Sequence, residues 1–294
     1  MDFSKFRMSQ EKYESIKGDK WPLYENFITT RLSDLNEIVR EEIIKFNEES
    51  VVVPGLDHFL QNHTHNYYNI HWENLRIKFK NSELIGENYS HSWQDIFVLS
   101  MLNGKMDGTY LEIGANTPIA YNSTFLLEYF FNFNGISIDK LDLSLAWQTR
   151  PKANFLCADA VMLDYHALLN TNFVQKQIDY CQIDIDSPIN HLTILKSLLS
   201  SGYRFSVFTY ETCADLDSDP EIKESITESR NLFLENGYML IASDVLHWSD
   251  NEWIRLEDWW VDPTVIDPTI LDKFKNIIPL DKKNPFFLLI DTGE

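Results

Sequence analysis

The stretch Thr109–Thr124 reads Thr-Tyr-Leu-Glu-Ile-Gly-Ala-Asn-Thr-Pro-Ile-Ala-Tyr-Asn-Ser-Thr, and an apolar helical run, Phe125–Phe131, follows it. A short strand, Tyr110–Ile113, meets a Gly/Asn/Pro turn and then a helix start capped by Asn122, Ser123 or Thr124. A turn of this kind aims backbone N–H groups and a helix N-terminus at whatever sits above the carboxyl end of the strand. The rest of the chain must build around that geometry.

From Tyr89 onward strands and helices alternate. The strand candidates after the first are Gly135–Asp139, Asn154–Cys157, Ile178–Ile185, Tyr203–Tyr210, Gly237–Ser243 and about Glu252–Val261. Helical periodicity marks Ser92–Leu102, Ser123–Phe131, Asp164–Asn170, Asn190–Leu199 and Glu221–Glu235. Alternation of this kind predicts an α/β fold with a doubly wound parallel sheet. The last two strands are joined by a short non-helical connector, Val245–Asn251, which favours an antiparallel pair. Seven strands with an antiparallel last strand make the Rossmann-like layout of class I methyltransferases.

Residues 1–86 read as an α-helical extension, and 87–294 as the main domain. Phe27, Ile28, Leu32, Leu35, Ile38, Val39, Ile43 and Phe46 have helical spacing. The extension is expected to pack on the main domain or to pair with a second copy as a homodimer. His58, His63, His65 and His71 crowd it without helical ligand spacing or a nearby Cys, so surface or cap histidines are expected over a zinc site.

Net charge is −20, with Lys+Arg 25 against Asp+Glu 45. That balance argues against nucleic acid or an anionic membrane as partner, since phosphates need an excess of cations. Cys157, Cys181 and Cys213 are spread singly, which suits a reducing compartment. The N-terminus lacks an apolar core of the signal-peptide type, and no run reaches the length of a membrane span. A cytoplasmic protein is expected.

The chemistry concentrates at the strand ends. In open α/β sheets the ligand sits beyond the carboxyl ends of the strands, and here they carry Glu112, Asp139, Asp159, Asp184 with Asp186, and Glu211 in turn. Acids at five successive strand ends exceed what solvation requires, although any one of them has an N-cap or turn reading. Glu112 would repel a phosphate dianion but suits a ligand with a positive charge and a free amine. S-adenosylmethionine, a sulfonium carrying an amino acid, fits. Gly114 lets the backbone approach closely, Asp139 is placed for ribose hydroxyls, and Asp159 with the Ala160 N–H for the adenine edge. Glu112 and Asp184 lie nearest the sulfonium and its amine.

Several blocks in order carry a resemblance. They are Tyr89-Ser90 with Gln94-Asp95-Ile96-Phe97, Gly108–Pro118, Asn122–Glu128, Asn134–Asp139, Cys157–Ala160, Ile178–Asp186, Tyr203–Val207, Gly237–Ile241 and Glu257–Pro263. This run resembles FkbM-type S-adenosylmethionine-dependent methyltransferases over roughly Tyr89–Pro263. The resemblance implies methyl transfer from S-adenosylmethionine, usually to a hydroxyl of a sugar, glycan or other small polar acceptor. By position it implies a cofactor set of Tyr89, Glu112, Gly114, Asn116, Asn122, Asp139, Asp159, Ala160 and Asp184. Asp184, Asp186 and Glu211 are the acids facing cofactor and acceptor.

Two departures stand out. Pro118 occupies a place where many members have glycine, and Thr212 stands where many have a histidine after the glutamate. Asp186 or Glu211 is then the expected base, or Asp184, Asp186 and Glu211 together bind one Mg²⁺ that acidifies a hydroxyl. His191 and His247 read as structural. Trp248, Trp253, Trp259 and Trp260 read as a core or cap against the sheet edge, with acceptor stacking as the alternative. A catalytically inactive binding protein on the same fold is the rival. A nicotinamide-dependent oxidoreductase is a weaker one, because Glu112 sits where that fold wants glycine and no G-x-G-x-x-G is present.

Overall fold

Successive residues of the central strands face opposite sides of the sheet, and both sides are apolar. Tyr110, Tyr180, Val207 and Trp259 enter one buried cluster; Leu111, Cys181, Phe208 and Trp260 enter another. A sheet buried on both faces needs helices on both. The computed structural model describes residues 75–275 and 288–289, apart from 83, 84, 86, 87, 120, 149, 151, 186, 250 and 251.

The strands are β1 (Thr109–Ile113), β2 (Asn134–Asp139), β3 (Ala153–Cys157), β4 (Gln177–Ile183), β5 (Arg204–Glu211), β6 (Met239–Ser249) and β7 (Glu252–Val261). Their spatial order is β3-β2-β1-β4-β5-β7-β6. The first five pair in parallel, and β7 runs antiparallel to both β5 and β6. This is the class I methyltransferase sheet, with its switch point between β1 and β4. The helices are α1 (Gln94–Met101), α2 (Phe125–Phe131), α3 (Ser144–Trp147), α4 (Tyr165–Asn172), α5 (Pro188–Ser200), α6 (Pro220–Glu235) and α7 (Pro268–Lys275).

The connector expected at Val245–Asn251 is instead mostly strand. β6 continues through Val245, Leu246 and His247 to Ser249, paired with Glu252–Glu257 across irregular register. Asp244 is the reason its periodicity breaks there. Its φ is +52° and its N–H donates to the Asp258 carboxylate at 2.9 Å, while Arg230 binds both acids.

Trp259 and Trp260 are core residues. Trp259 stacks on Phe97 at 4.3 Å and Trp260 on Phe233 at 4.6 Å. Leu75, Ile77, Phe79 and Ile85, at the end of the predicted extension, are buried in the cluster that holds α1 and α2. The helical pattern of Phe27–Phe46, the four histidines His58, His63, His65 and His71, and the pairing surface expected of the extension lie outside the described residues, as does Asp186. The three cysteines are free thiols. Among the described residues no helix is long and apolar enough to cross a membrane.

Candidate active site

One cleft of about 330 Å³ opens at the carboxyl ends of the five parallel strands. Gly114 and Asn116 line it after β1, Ile138–Leu141 at β2, and Asp159–Val161 after β3. Gln182, Asp184 and Ile185 come from β4 and its exit, Asn190 from α5 and Glu211 from β5, while His91 and Tyr121 complete the wall. The volume falls in the range of small-molecule sites. Of the residues expected from sequence, Gly114, Asn116, Asp139, Asp159, Ala160, Asp184 and Glu211 meet in this cleft. Tyr89, Glu112 and Asn122 are buried behind it.

Those three shape the turn rather than line the wall. Asn122 donates from Nδ2 to the carbonyls of Ala115 and Thr117, and its Oδ1 accepts from the N–H groups of Thr124 and Phe125. One side chain thus closes the turn and caps α2. Glu112 Oε2 accepts from Thr124 Oγ1 at 2.9 Å and Ser137 Oγ at 2.7 Å, and burial raises its pKa. Its Oε1 is buried without a hydrogen-bond partner.

The centre of this network is Arg150, which no sequence pattern revealed. It is 2% exposed. Its guanidinium donates to Glu128 Oε2 at 2.8 Å, Asn122 Oδ1 at 2.8 Å, Thr124 Oγ1 at 2.9 Å, the Pro118 carbonyl at 3.0 Å and Tyr110 Oη at 3.1 Å. It also lies over the Trp147 ring at 4.7 Å. Only a forked, permanently charged donor set serves that many acceptors at once. Pro118 therefore contributes a carbonyl to Arg150, which suits a residue with no N–H to offer.

The two acids at β2 and β3 are held by backbone. Asp139 Oδ2 accepts from the Asn116 N–H at 2.7 Å and Oδ1 from the Leu141 N–H at 2.8 Å. A carboxylate has roughly four lone-pair sites, so acceptor capacity remains toward the cleft. Asp159 caps the short 3₁₀ turn Ala160–Met162 through the Val161 N–H at 3.0 Å. Asp159 thus both caps the turn and lines the cleft, and the capped turn is what brings Ala160 and Val161 to the wall.

The floor is a crowd of carboxyls. Asp184 is raised well above the ordinary carboxylate range by burial and then by the neighbouring Glu211 carboxyl. A proton shared between two close acids has this signature. Burial and the charges of Asp184 and Glu211 also raise Glu257, which accepts from Trp259 Nε1 at 2.7 Å. His191 is fully buried, with Nε2 at 3.2 Å from Glu211 Oε2, 2.8 Å from the Ile185 N–H and 2.5 Å from the Ile185 carbonyl. It braces Glu211 and the exit of β4 together. Thr212 is buried and donates from Oγ1 to the Leu256 carbonyl at 3.2 Å, so the position after Glu211 is structural. Among the described residues no group of three or more His, Cys, Asp or Glu side chains is placed to hold a metal. The expected Mg²⁺ set is therefore not assembled from Asp184 and Glu211 alone.

Gln182 supplies the test of the expected ligand. It is 5% exposed, lines the cleft, and donates from Nε2 to Asp184 Oδ2 at 3.3 Å, while its Oε1 has no hydrogen-bond partner. A buried acceptor without a donor is costly. A donor would satisfy that oxygen, and beside the acids Asp184 and Glu211 an amino-acid ammonium fits the place.

No protein-family model and no curated protein matches the chain. Among solved structures it is similar to Aeropyrum pernix fibrillarin with natively bound S-adenosyl-L-methionine, at 10% identity over 60% of this chain and 77% of that one, TM-score 0.39. It is also similar to the N-methyltransferase NodS from Bradyrhizobium japonicum WM9, at 12% identity over 57% and 94%, TM-score 0.36. A third is a TehB-like SAM-dependent methyltransferase from Corynebacterium glutamicum, at 10% identity over 57% and 86%, TM-score 0.36. Likeness this distant identifies neither a reaction nor an acceptor.

Proposed function

We propose that the chain is an S-adenosylmethionine-dependent methyltransferase acting on a hydroxyl of a small polar acceptor, such as a sugar or glycan. The observation that carries this is the cleft itself. Its acceptor-bearing residues follow the strand order, with Asp159 after β3, Asp139 at β2, Gln182 and Asp184 at β4 and Glu211 at β5. That order matches an adenine edge, a ribose diol and a cationic amino-acid end. The FkbM-type motifs support the same assignment, and a net charge of −20 disfavours nucleic acid as acceptor.

S-adenosylmethionine supplies an activated methyl group, so what the protein adds is chiefly position. Asp139 would hold the ribose, with its own orientation fixed by the Asn116 and Leu141 N–H groups. Gln182 and Asp184 would take the ammonium. Glu211, braced by His191, would sit toward the acceptor. A divalent cation would need Asp186 to join Asp184 and Glu211.

Thr212 favours one second reading, a binding protein without turnover, because it removes the expected histidine from the end of β5. Calorimetry with S-adenosylmethionine, followed by S-adenosylhomocysteine release across a panel of glycosides and polyols with and without EDTA, separates the two. Absence of binding sinks both. Binding without turnover leaves the second, and loss of turnover in EDTA brings the cation into the reaction.

A further inference from the structure

Two residues of the cleft wall come from the loops that precede α1 and α2. They are His91 and Tyr121, with ring centroids 4.5 Å apart. On its other neighbour His91 stacks against His247 at 5.0 Å and 30°, and the His91 carbonyl lies 3.3 Å from His247 Nδ1. The imidazole is thus held from two directions on a residue that lines the cleft.

The loop that presents it is built at some cost. Asp95, at the start of α1, is fully buried; Oδ2 accepts from the Tyr89 N–H at 2.7 Å, and Oδ1 accepts from Ser90 Oγ at 2.7 Å and the Ile96 N–H at 2.9 Å. Burial still pushes the Asp95 carboxyl up to about 6. The same loop is tied to the turn after β1, since the Asn122 N–H donates to the Tyr89 carbonyl at 3.0 Å. A buried acid that organises Tyr89, Ser90 and the first turn of α1 therefore fixes His91 relative to the turn on which a cofactor would rest.

A neutral hydroxyl must lose its proton when it is methylated, and acids already line this cleft, which disfavours an acceptor that arrives as an anion. Thr212 is committed to Leu256. Among the described residues, Asp184 and Glu211 crowd each other, and Glu211 also meets His191. We propose, on the methyltransferase reading, that His91 is the group that accepts the hydroxyl proton of the acceptor. In that step the acceptor oxygen forms the new bond to the methyl carbon. The carbon–sulfur bond breaks, with its electron pair remaining on sulfur, and the hydroxyl proton passes to the His91 imidazole, which becomes the cation. Burial, and then His247, hold His91 down to about 3, so it is neutral before the step. A base this weak lies below the range that suits early proton removal, so it takes the proton late, once the forming carbon–oxygen bond has made that proton strongly acidic.

Three measurements on the full chain test this. Calorimetry with S-adenosylmethionine is run on wild type, His91→Asn and His91→Phe; the phenyl ring keeps the packing against Tyr121 and His247. Imidazole ¹H–¹⁵N spectra of the protein saturated with S-adenosylhomocysteine are followed during titration with methyl α-D-glucopyranoside as the hydroxyl probe. Turnover of the same glycoside gives kcat and KM. The expected result is cofactor affinity in both variants within about threefold of wild type, a His91 signal that moves with the glycoside, and a kcat lower by about 100-fold or more at little-changed KM. Failure of wild type to bind S-adenosylmethionine sinks the methyltransferase reading itself. Normal cofactor binding with an unmoved His91 signal, or with kcat retained in His91→Asn, overturns the assignment of His91 alone.

Discussion

A Cβ atom on Gly114 would lie 1.5 Å from the carbonyl oxygen of Asp184. The two strands at the switch point, β1 and β4, thus close on one another immediately beyond their last paired residues, and the Asp184 N–H donates to the Ile113 carbonyl at 2.9 Å. Gly114 also has φ +85°, a region open to glycine and strained for alanine. Gly114→Ala must therefore move the Asp184 backbone, and with it the carboxyl on the floor of the cleft. A loss of stability of about 3 kcal/mol or more is expected in urea unfolding. Near wild-type stability would show that β4 yields at this point and that the glycine serves ligand approach instead.

Arg150 and Glu128 form a buried pair whose value depends on both partners. Arg150→Leu leaves Glu128, 5% exposed, without its cation and strips donors from Pro118, Asn122 and Thr124. Destabilisation of about 3–5 kcal/mol is expected. Arg150→Leu with Glu128→Leu should recover part of it, because no stranded charge remains. If the double variant is as unstable as the single one, the damage comes from the turn carbonyls rather than from the ion pair.

Asp139 joins the turn to the ligand. Its carboxylate accepts two backbone N–H bonds and keeps lone pairs for a diol, so Asp139→Ala should weaken S-adenosylmethionine binding by about 1.5–3 kcal/mol. That corresponds to roughly ten- to hundredfold in Kd. Calorimetry with S-adenosylmethionine and with adenine alone distinguishes the causes. A drop confined to the nucleoside ligand indicates the ribose contact, and an equal drop for adenine points to collapse of the Asn116 turn.

Much of this architecture was legible because it rests on local pattern. The strand–turn–helix at Thr109–Phe131, the acids at the strand ends and the antiparallel finish follow from periodicity and from where open sheets place their ligands. What was not legible depends on distance in sequence. Arg150 sits in a loop with no periodicity, yet it touches groups from Tyr110 to Glu128. The span Val245–Ser249 read as a connector because Asp244, held at φ +52° by Asp258 and Arg230, interrupts the alternation of a strand that in fact continues. His91 falls between Tyr89-Ser90 and Gln94–Phe97 and belongs to no motif, because its position depends on Asp95, Asn122 and His247 together. Glu112 and Asn122 are buried and do not line the cleft, since sequence gives the strand end but not which face of it the turn covers.

The Asp184–Glu211 pair makes cofactor binding sensitive to pH in a defined direction. Burial and the Glu211 charge raise Asp184 well above the ordinary carboxylate value, so the free folded protein holds a proton there that the unfolded chain has already lost. In the window between the ordinary value and the raised one the native state binds more protons than the unfolded state. Its stability therefore falls as pH rises through that window. A cationic ligand favours the ionised carboxylate, so S-adenosylmethionine binding should release a proton and tighten as pH rises through the same window. Asp184→Asn should abolish this slope. It should stabilise the free protein above the window by at least about 1 kcal/mol, and weaken cofactor binding there by about tenfold. Calorimetry in two buffers of different ionisation enthalpy counts the proton directly. If wild type releases none on binding, the acid pair does not meet the cationic end of the cofactor, and Gln182 alone would have to hold it.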